Sequence, residues 1–342
     1  EQNPNIQRLF IAVGGGGLAA GIAVFLKQLK PEIKLIAVEA EESACFTAAL
    51  KVGKPVALPS VGIFADGVAV KTMGSEPFRL CSDLIDEVIT VSNDEICAAI
   101  KDIFDDTRVI AEPAGALSIA AIRKYVHQHH ITNEILGGIL CGANTNFHTL
   151  RYVSERCELG ENKEAVIAVR LPERAGAFKR FCEVLGNRAI TEFNYRFSSA
   201  NEAHIFVGIR LKRGKQELTD LLTKLSQDNY QCFNLSDNEL AKLHVRHMVG
   251  GRPAEKLNEH LFSFTFPEYP GALLAFLNTL GEKWNITLFH YRNHGAADGL
   301  VLCGFDLPEH SRPDFDRHLA KLNYRFEEQT DNDAYKFFLA GT

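Results

Sequence analysis

Four consecutive glycines, Gly14-Gly15-Gly16-Gly17, stand directly after the apolar run Leu9 to Val13 and directly before a helical pattern. Residues without Cβ let backbone N–H groups converge on an anion, and a following helix start adds the positive end of its dipole. The chemistry on offer is phosphate binding. The run lacks the Lys-Ser/Thr of a Walker loop and does not fit GxGxxG, since position 19 is Ala and the glycines are contiguous. A flexible turn is the competing reading of composition alone.

A second candidate is Cys141-Gly142-Ala143-Asn144, at the carboxyl end of the run Ile135 to Cys141. A thiol there can be a nucleophile, a weak partner of a ring nitrogen, or a small buried hydrophobe, and in a doubly wound sheet it would share a rim with the glycine loop. His127, His129 and His130 crowd a helix C-terminus, where the dipole favours His, and no Cys or carboxylate joins them as a metal ligand. Glu112-Pro113 reads as a helix start with Pro at its first position, and Arg312 to Arg317 as a solvated turn and helix start. No Ser-His-Asp or Cys-His arrangement stands out.

The elements that must hold these residues follow from periodicity. Up to about residue 155, strand-like runs (Leu9 to Val13, Lys34 to Val38, Glu87 to Val91, Ile135 to Cys141) alternate with amphipathic stretches such as Leu18 to Lys30 and Ala114 to His127. That alternation predicts an α/β layer with a mostly parallel sheet, whose ligands bind beyond the carboxyl ends of the strands. At 342 residues, 46% apolar and 23% charged, the chain is long and apolar enough for two or three folded domains. A net charge of -6 without a dense basic run argues against nucleic acid, and no apolar run is long enough for a membrane-spanning helix. Eight scattered cysteines without CxxC spacing read as reduced thiols of a cytoplasmic protein. The opening Glu1 to Arg8 is not a signal peptide and leads straight into a strand, as expected of the middle of a domain.

From about residue 163 the chain repeats itself. Ala165 to Phe178, with Pro172, Glu173, Gly176 and Ala177, is echoed by Leu261 to Leu273, with Pro267, Glu268, Gly271 and Ala272, at an offset of 95. Ile190-Thr-Glu-Phe193-Asn194-Tyr195-Arg196 matches Ile286-Thr-Leu-Phe289-His290-Tyr291-Arg292 at an offset of 96, after one indel. Each copy reads as strand, Pro/Gly turn, helix, a strand ending in Tyr-Arg, a third strand (His204 to Leu211, Gly299 to Leu307), a helix and a short last strand. This is the split βαββαβ ferredoxin-like order, with Val249 to Pro253 as connector.

Five ordered motifs carry a resemblance. Val13 to Leu18, Val38-Glu39-Ala40-Glu41, Phe64 to Val70, Ala111-Glu112-Pro113-Ala114-Gly115-Ala116 and Cys141 to Asn144, with Leu150 to Arg156 and the doubled Tyr-Arg modules, resemble the pyridoxal-phosphate-dependent threonine ammonia-lyases of the long, biosynthetic, regulated type. The resemblance implies the later part of a fold-type-II (tryptophan synthase β-like) catalytic domain over 1–155, followed by two ACT-like modules over 163–250 and 258–342. By the same resemblance, the family converts L-threonine to 2-oxobutanoate and ammonia on the way to isoleucine, with isoleucine as inhibitor and valine as activator, in a homotetramer. It implies that Gly14, Gly15, Gly16, Gly17 and Leu18 hold the phosphate of pyridoxal 5'-phosphate. It further implies that Cys141 faces the pyridine nitrogen as a neutral partner and that the Phe64 to Gly67 loop lies near the substrate. A free amino acid needs backbone donors and acceptors beside an apolar pocket, so Glu173, Gly176, Tyr195, Arg196, Glu268, Gly271, Tyr291 and Arg292 are the effector candidates. Ordinary strand residues are the competing reading of the Tyr and Arg pairs. Replacing Arg196 or Arg292 is expected to weaken the isoleucine response.

The chain departs from the family in one respect. The family carries its cofactor on a lysine in a Ser-Phe-Lys type motif, followed by a Ser-x-Gly-Asn-His type loop, and this sequence contains neither. The chain therefore reads as lacking that earlier part and as inactive by itself. Two other readings stand beside this one: an amino-acid-sensing module whose front half is a platform, and a serine dehydratase or racemase relative, which would lack the doubled tail.

Overall fold

A computed structural model of the chain describes residues 3–340 except 175, 198–201, 249, 254–256, 268, 281–282, 293–297 and 323. It forms two units, Glu1–Glu161 and Asn162–Thr342. The first extends past 155 because the helix Phe147–Gly160 is continuous there, and its Val153 and Cys157 belong to the front core.

The first unit is a parallel sheet with helices on both faces. Its strands are β1 (Arg8–Ala12), β2 (Lys34–Ala40), β3 (Glu87–Val91) and β4 (Leu136–Gly138), in the order β3-β2-β1-β4. All three pairings are parallel, with Arg8 opposite Lys34 and Leu136, and Ile36 opposite Glu87. β2 is buried along almost its whole length, the near-continuous apolar run expected of a strand covered on both faces. Helix α1 (Gly17–Leu29) buries Ala19, Ala20 and Ala23, and such small side chains allow close approach to the sheet. After α2 (Cys45–Val52) and α3 (Ser75–Leu84), helix α4 (Asn93–Thr107) starts from a reciprocal Ser92–Glu95 capping box. Helix α5 (Pro113–His129) has Pro at its first turn and ends at His130, which is left-handed at φ 51°. Its Ser118 Oγ donates to the Ile139 carbonyl at 2.8 Å. Ile139 N still donates to the Phe10 carbonyl at 3.2 Å, but its own carbonyl accepts from α5, which helps explain why β4 is shorter than the expected run Ile135 to Cys141. Helix α6 (Phe147–Gly160) closes the unit.

The second unit is one eight-stranded antiparallel sheet built from the two repeats. The first supplies β5 (Glu164–Pro172), α7 (Ala177–Leu185), β6 (Ile190–Arg196), β7 (Glu202–Arg210), α8 (Gly214–Gln227) and β8 (Gln231–Asn234). The second supplies β9 (Glu259–Pro267), α10 (Ala272–Leu280), β10 (Asn285–Arg292), β11 (Asp298–Asp306), α11 (Arg312–Leu319) and β12 (Phe326–Glu328). Both follow the βαββαβ order. Strand order β12-β9-β11-β10-β6-β7-β5-β8 joins the copies through β10 and β6, where Phe289 faces Tyr195, His290 faces Asn194 and Tyr291 faces Phe193. These pairings are exchanged by the repeat itself, so the seam has local two-fold symmetry. The helices α7, α8, α10 and α11 cover one sheet face, over a core that includes Phe181, Phe193, Phe276, Phe289, Phe305 and Phe315.

Each repeat also ends in a short helix beyond the expected module. α9 (Glu239–Leu243) follows Asn238, whose side chain accepts from Ala241 N, and α12 (Asp333–Phe338) follows Asn332, whose side chain accepts from Ala334 N. The sequence signal was present in Asp237-Asn238 and Asp331-Asn332, at an offset of 94. Among the described residues, no helix is long and apolar enough to cross a membrane.

Candidate functional site

The glycine loop leaves β1 with Val13 N donating to the Val38 carbonyl at 2.8 Å, which holds its entry against β2. Its four members divide into two roles. A Cβ on Gly14 would lie 3.0 Å from Val68 Cα, and one on Gly16 would overlap Met73 Cε and lie 2.9 Å from Pro77 Cβ. Gly16 is also left-handed at φ 88° and forms the N-cap of α1, a conformation that favours glycine. Gly15 and Gly17, by contrast, have no atom within 4 Å of a built Cβ. One pair is clamped by packing and the other faces open space at a helix N-terminus, which is the form of an anion cradle. Leu18, next along α1, is 48% exposed.

The loop is tied through α2 to a buried carboxylate, Glu39, that the sequence shows only as part of a motif. Glu39, fully buried at the end of β2, accepts from Phe46 N (2.7 Å), Thr47 N (2.8 Å) and Thr47 Oγ1 (2.6 Å), so it caps α2. Burial pushes its pKa up despite those bonds. Cys45, in the first turn of α2, is pushed up to about 11 by burial and by Glu39, and its protonated Sγ donates to the Gly14 carbonyl at 3.4 Å.

The other motifs of the first unit converge through contacts that can be followed one at a time. Val68 packs on Gly14, and a Cβ on its neighbour Gly67 would lie 2.9 Å from Ala114 Cβ. Glu112 N donates to the Gly142 carbonyl at 3.0 Å, and Asn144 N donates to Glu112 Oε2 at 2.9 Å. Gly115 and Gly142 permit this approach, since a Cβ on Gly115 would lie 2.6 Å from the Gly142 oxygen. Cys141 thus lies beside Glu112, exposed, with its thiol held up by partial burial and by that carboxylate. It is a neutral group at physiological pH. The parallel register of β1 and β4 brings Cys141 to the rim from which the glycine loop emerges. Phe64 packs on Tyr152 with ring centroids 4.6 Å apart.

In the second unit the repeat seam creates two related clefts, each formed by the Pro/Gly turn of one repeat and the helix end and strand start of the other. The first holds Glu173, Gly176 and Tyr195 against Trp284, Asn285 and Ile286, with a volume of about 30 Å³. The second holds Gly271 and Tyr291 against Asn187, Arg188 and Ile190, with a volume of about 470 Å³. Tyr195 Oη donates to Glu173 Oε2 at 2.6 Å; burial and the Glu173 charge raise the phenol, and burial raises Glu173 as well. Gly176 and Gly271 are left-handed at φ 80° and 89°. Glu268 lies outside the described residues. Asn187, Trp284 and Asn285 were missed because each belongs to the copy opposite the turn it faces. The two-fold relation of the repeats was the signal for them.

Arg196 and Arg292 do not join these clefts, which corrects the expectation drawn from their place after Tyr. Successive strand residues point to opposite sheet faces, so Tyr195 and Tyr291 enter the helix-covered core while the arginines lie behind it. Arg196 is committed there to buried Glu259, with Nη2 to Oε2 at 3.0 Å, and to the Leu339 carbonyl at 2.7 Å. Glu259 also accepts from Tyr335 Oη at 2.7 Å and from Thr287, which ties α12 to the sheet. Arg292 contacts His247 Nδ1 at 3.0 Å.

Comparison with known proteins assigns a family profile to each of the two units. A profile described as pyridoxal-phosphate dependent enzyme matches residues 1–142, which sets the class of the front unit. A profile of the C-terminal regulatory domain of threonine dehydratase matches residues 155–245 and 250–339, more than half of the 342 residues. The chain belongs to the threonine dehydratase family. Over 341 residues it is 58% identical to "L-threonine dehydratase biosynthetic IlvA" of Escherichia coli (strain K12), covering 100% of this chain and 66% of that protein. It is 44% identical over 347 residues to "Threonine dehydratase, mitochondrial" of Saccharomyces cerevisiae, covering 98% of this chain and 60% of that one. The solved processed form of threonine deaminase isoform 2 from Solanum lycopersicum is 45% identical, covering 45% of each chain with a TM-score of 0.45. The chain therefore spans 66% or less of the length of these two curated relatives. A pure sensor whose front half is only a platform is not favoured, because the front half carries the cofactor-enzyme profile.

Proposed function

We propose that the protein belongs to a biosynthetic threonine ammonia-lyase, with the first unit contributing to the pyridoxal 5'-phosphate site and the second binding branched-chain amino acids; these residues include no Ser-Phe-Lys lysine to carry the cofactor, so the chain by itself is expected to be inactive. The reaction is deamination of L-threonine to 2-oxobutanoate and ammonia, inhibited by isoleucine and activated by valine, in a cytoplasmic homotetramer. The observation that carries the reading is one chain that joins an open glycine cradle to a doubled regulatory module. Pyridoxal phosphate, when bound, supplies an electron sink that acidifies the Cα–H bond of an amino acid and lets its β-hydroxyl leave. This chain's residues do the holding. The open faces of Gly15 and Gly17 suit the phosphate, and the clamped Gly14 and Gly16 keep that cradle rigid. Cys141 would offer the ring nitrogen a thiol rather than a carboxylate, and so would not stabilise a protonated ring. A moderate sink of that kind suits β-elimination. The Phe64 to Gly67 loop, whose Gly67 lies against Ala114 and Glu112 and whose next residue, Val68, packs on Gly14, would line the substrate side. In the second unit, Glu173, Gly176 and Tyr195 form one effector cleft, and Gly271 and Tyr291 form the other.

Calorimetric titration of the purified chain with isoleucine, valine and pyridoxal phosphate tests this. Saturable binding of isoleucine or valine, and of the cofactor, is expected. A folded chain that binds none of them overturns the reading.

A further inference from the structure

The two clefts are related by the repeat and yet one has room for an amino acid while the other has room for about one water. In the first, the Glu173 side chain accepts from Tyr195 Oη at 2.6 Å, and Asn285 lines the same cleft. A carboxylate held by a phenol, beside Ile205, Leu277 and Ile286, is the arrangement that a small aliphatic amino acid would make with the same walls. Trp284 also lines this cleft, and its Nε1 is buried without a hydrogen-bond partner among the described residues.

We propose that Glu173 is a built-in occupant of the first cleft, standing where an effector's carboxylate would sit, so that a small aliphatic amino acid enters only by displacing it. This rests on the regulatory reading above and deepens it. The two clefts then fill in order: the roomy one under Gly271 first, and the one under Gly176 at higher concentration, once Glu173 has left Tyr195. Glu173 follows Pro172, the last residue of β5, and precedes left-handed Gly176 at the start of α7, so it belongs to neither element.

Trp284 lines the first cleft and is the sole tryptophan of the chain, so its emission reports on that cleft alone. Isoleucine is titrated into the full chain, into E173A and into E173Q, followed by calorimetry and by Trp284 fluorescence together. In the unaltered chain the first calorimetric transition should leave Trp284 unchanged, with an emission change only at higher isoleucine. In E173A that change should move to lower isoleucine by about ten-fold or more, the equivalent of one lost charge-assisted hydrogen bond. E173Q, which keeps a neutral acceptor for Tyr195, should fall between. A Trp284 titration that is the same in E173A as in the unaltered chain, while calorimetry still detects isoleucine, overturns the gate alone. A Trp284 change that coincides with the first transition in the unaltered chain does so as well. Absence of isoleucine binding by either readout in all three proteins overturns the regulatory reading and the gate with it.

Discussion

Gly16 and Gly15 are neighbours of identical chemistry, and the structure assigns them opposite responses to the same substitution. In Gly16→Ala the new residue must hold φ 88°, which costs roughly 1–2 kcal/mol for a side chain in the left-handed region. Its Cβ must also displace Met73 Cε and lies 2.9 Å from the Pro77 ring. Met73 is buried but flexible; the proline ring is not, so the overpacking falls within the usual ~1–3 kcal/mol. The sum is about 2–5 kcal/mol, and for a unit of this size each kcal/mol lowers the melting midpoint by roughly 2–4 °C. A fall of about 4–20 °C is expected. Gly15→Ala meets no atom within 4 Å and should shift stability by no more than about 0.5 kcal/mol. It nevertheless puts a methyl where a phosphate would sit, and loss of one charge-assisted contact should weaken pyridoxal phosphate about ten-fold or more. Thermal unfolding by circular dichroism and cofactor titration by absorbance separate the two effects. Equal melting midpoints for the two variants would refute the division of the loop into clamped and open glycines. Full cofactor affinity in a folded Gly15→Ala would refute the cradle.

Two other expectations follow from the second unit. Arg196→Ala leaves Glu259 buried without its guanidinium and should lower stability by roughly 3–5 kcal/mol in urea unfolding, whereas a paired Arg196→Met, Glu259→Leu change should recover most of that. Because Arg196 lies behind the sheet, the isoleucine concentration at half-saturation should stay within about two-fold of the unaltered chain at a temperature where the variant is folded; a larger shift would return Arg196 to the effector site. Glu328 is held at about 2 by its hydrogen bonds to Arg312, with His260 and Thr330 adding to it. Its folded pKa is below its unfolded value of about 4.3, so its contribution is present above that pH and is lost as pH falls towards 2. Arg312→Ala should flatten the stability curve over that acid window, and an unchanged acid limb would show that the ion pair contributes nothing.

How much of this was legible beforehand depends on how far apart the partners lie in the chain. Strand β3 was read with its observed bounds, and α1 and α5 to within a residue or two, because periods of 2 and 3.6 are local properties of the residues. The repeat at an offset of 95 to 96 was equally plain and with it the βαββαβ order of both modules. The glycine loop was found as a composition, but its division into clamped Gly14 and Gly16 and open Gly15 and Gly17 depends on Val68, Met73 and Pro77, more than fifty residues away. Tyr195 and Arg196 stand as a pair in the sequence, though alternation along a strand sends them to opposite faces, and only the pairing of β6 with β10 shows which face holds a cleft. The sequence by itself determined the element types, the internal symmetry and the family of chemistry, since each is written in neighbouring residues or in their repetition. The tertiary structure decided which loops face one another, that Glu173 sits in one cleft, and that Arg196 is a buried tie. Those facts come from long-range strand pairing and packing, where one residue of register changes every partner.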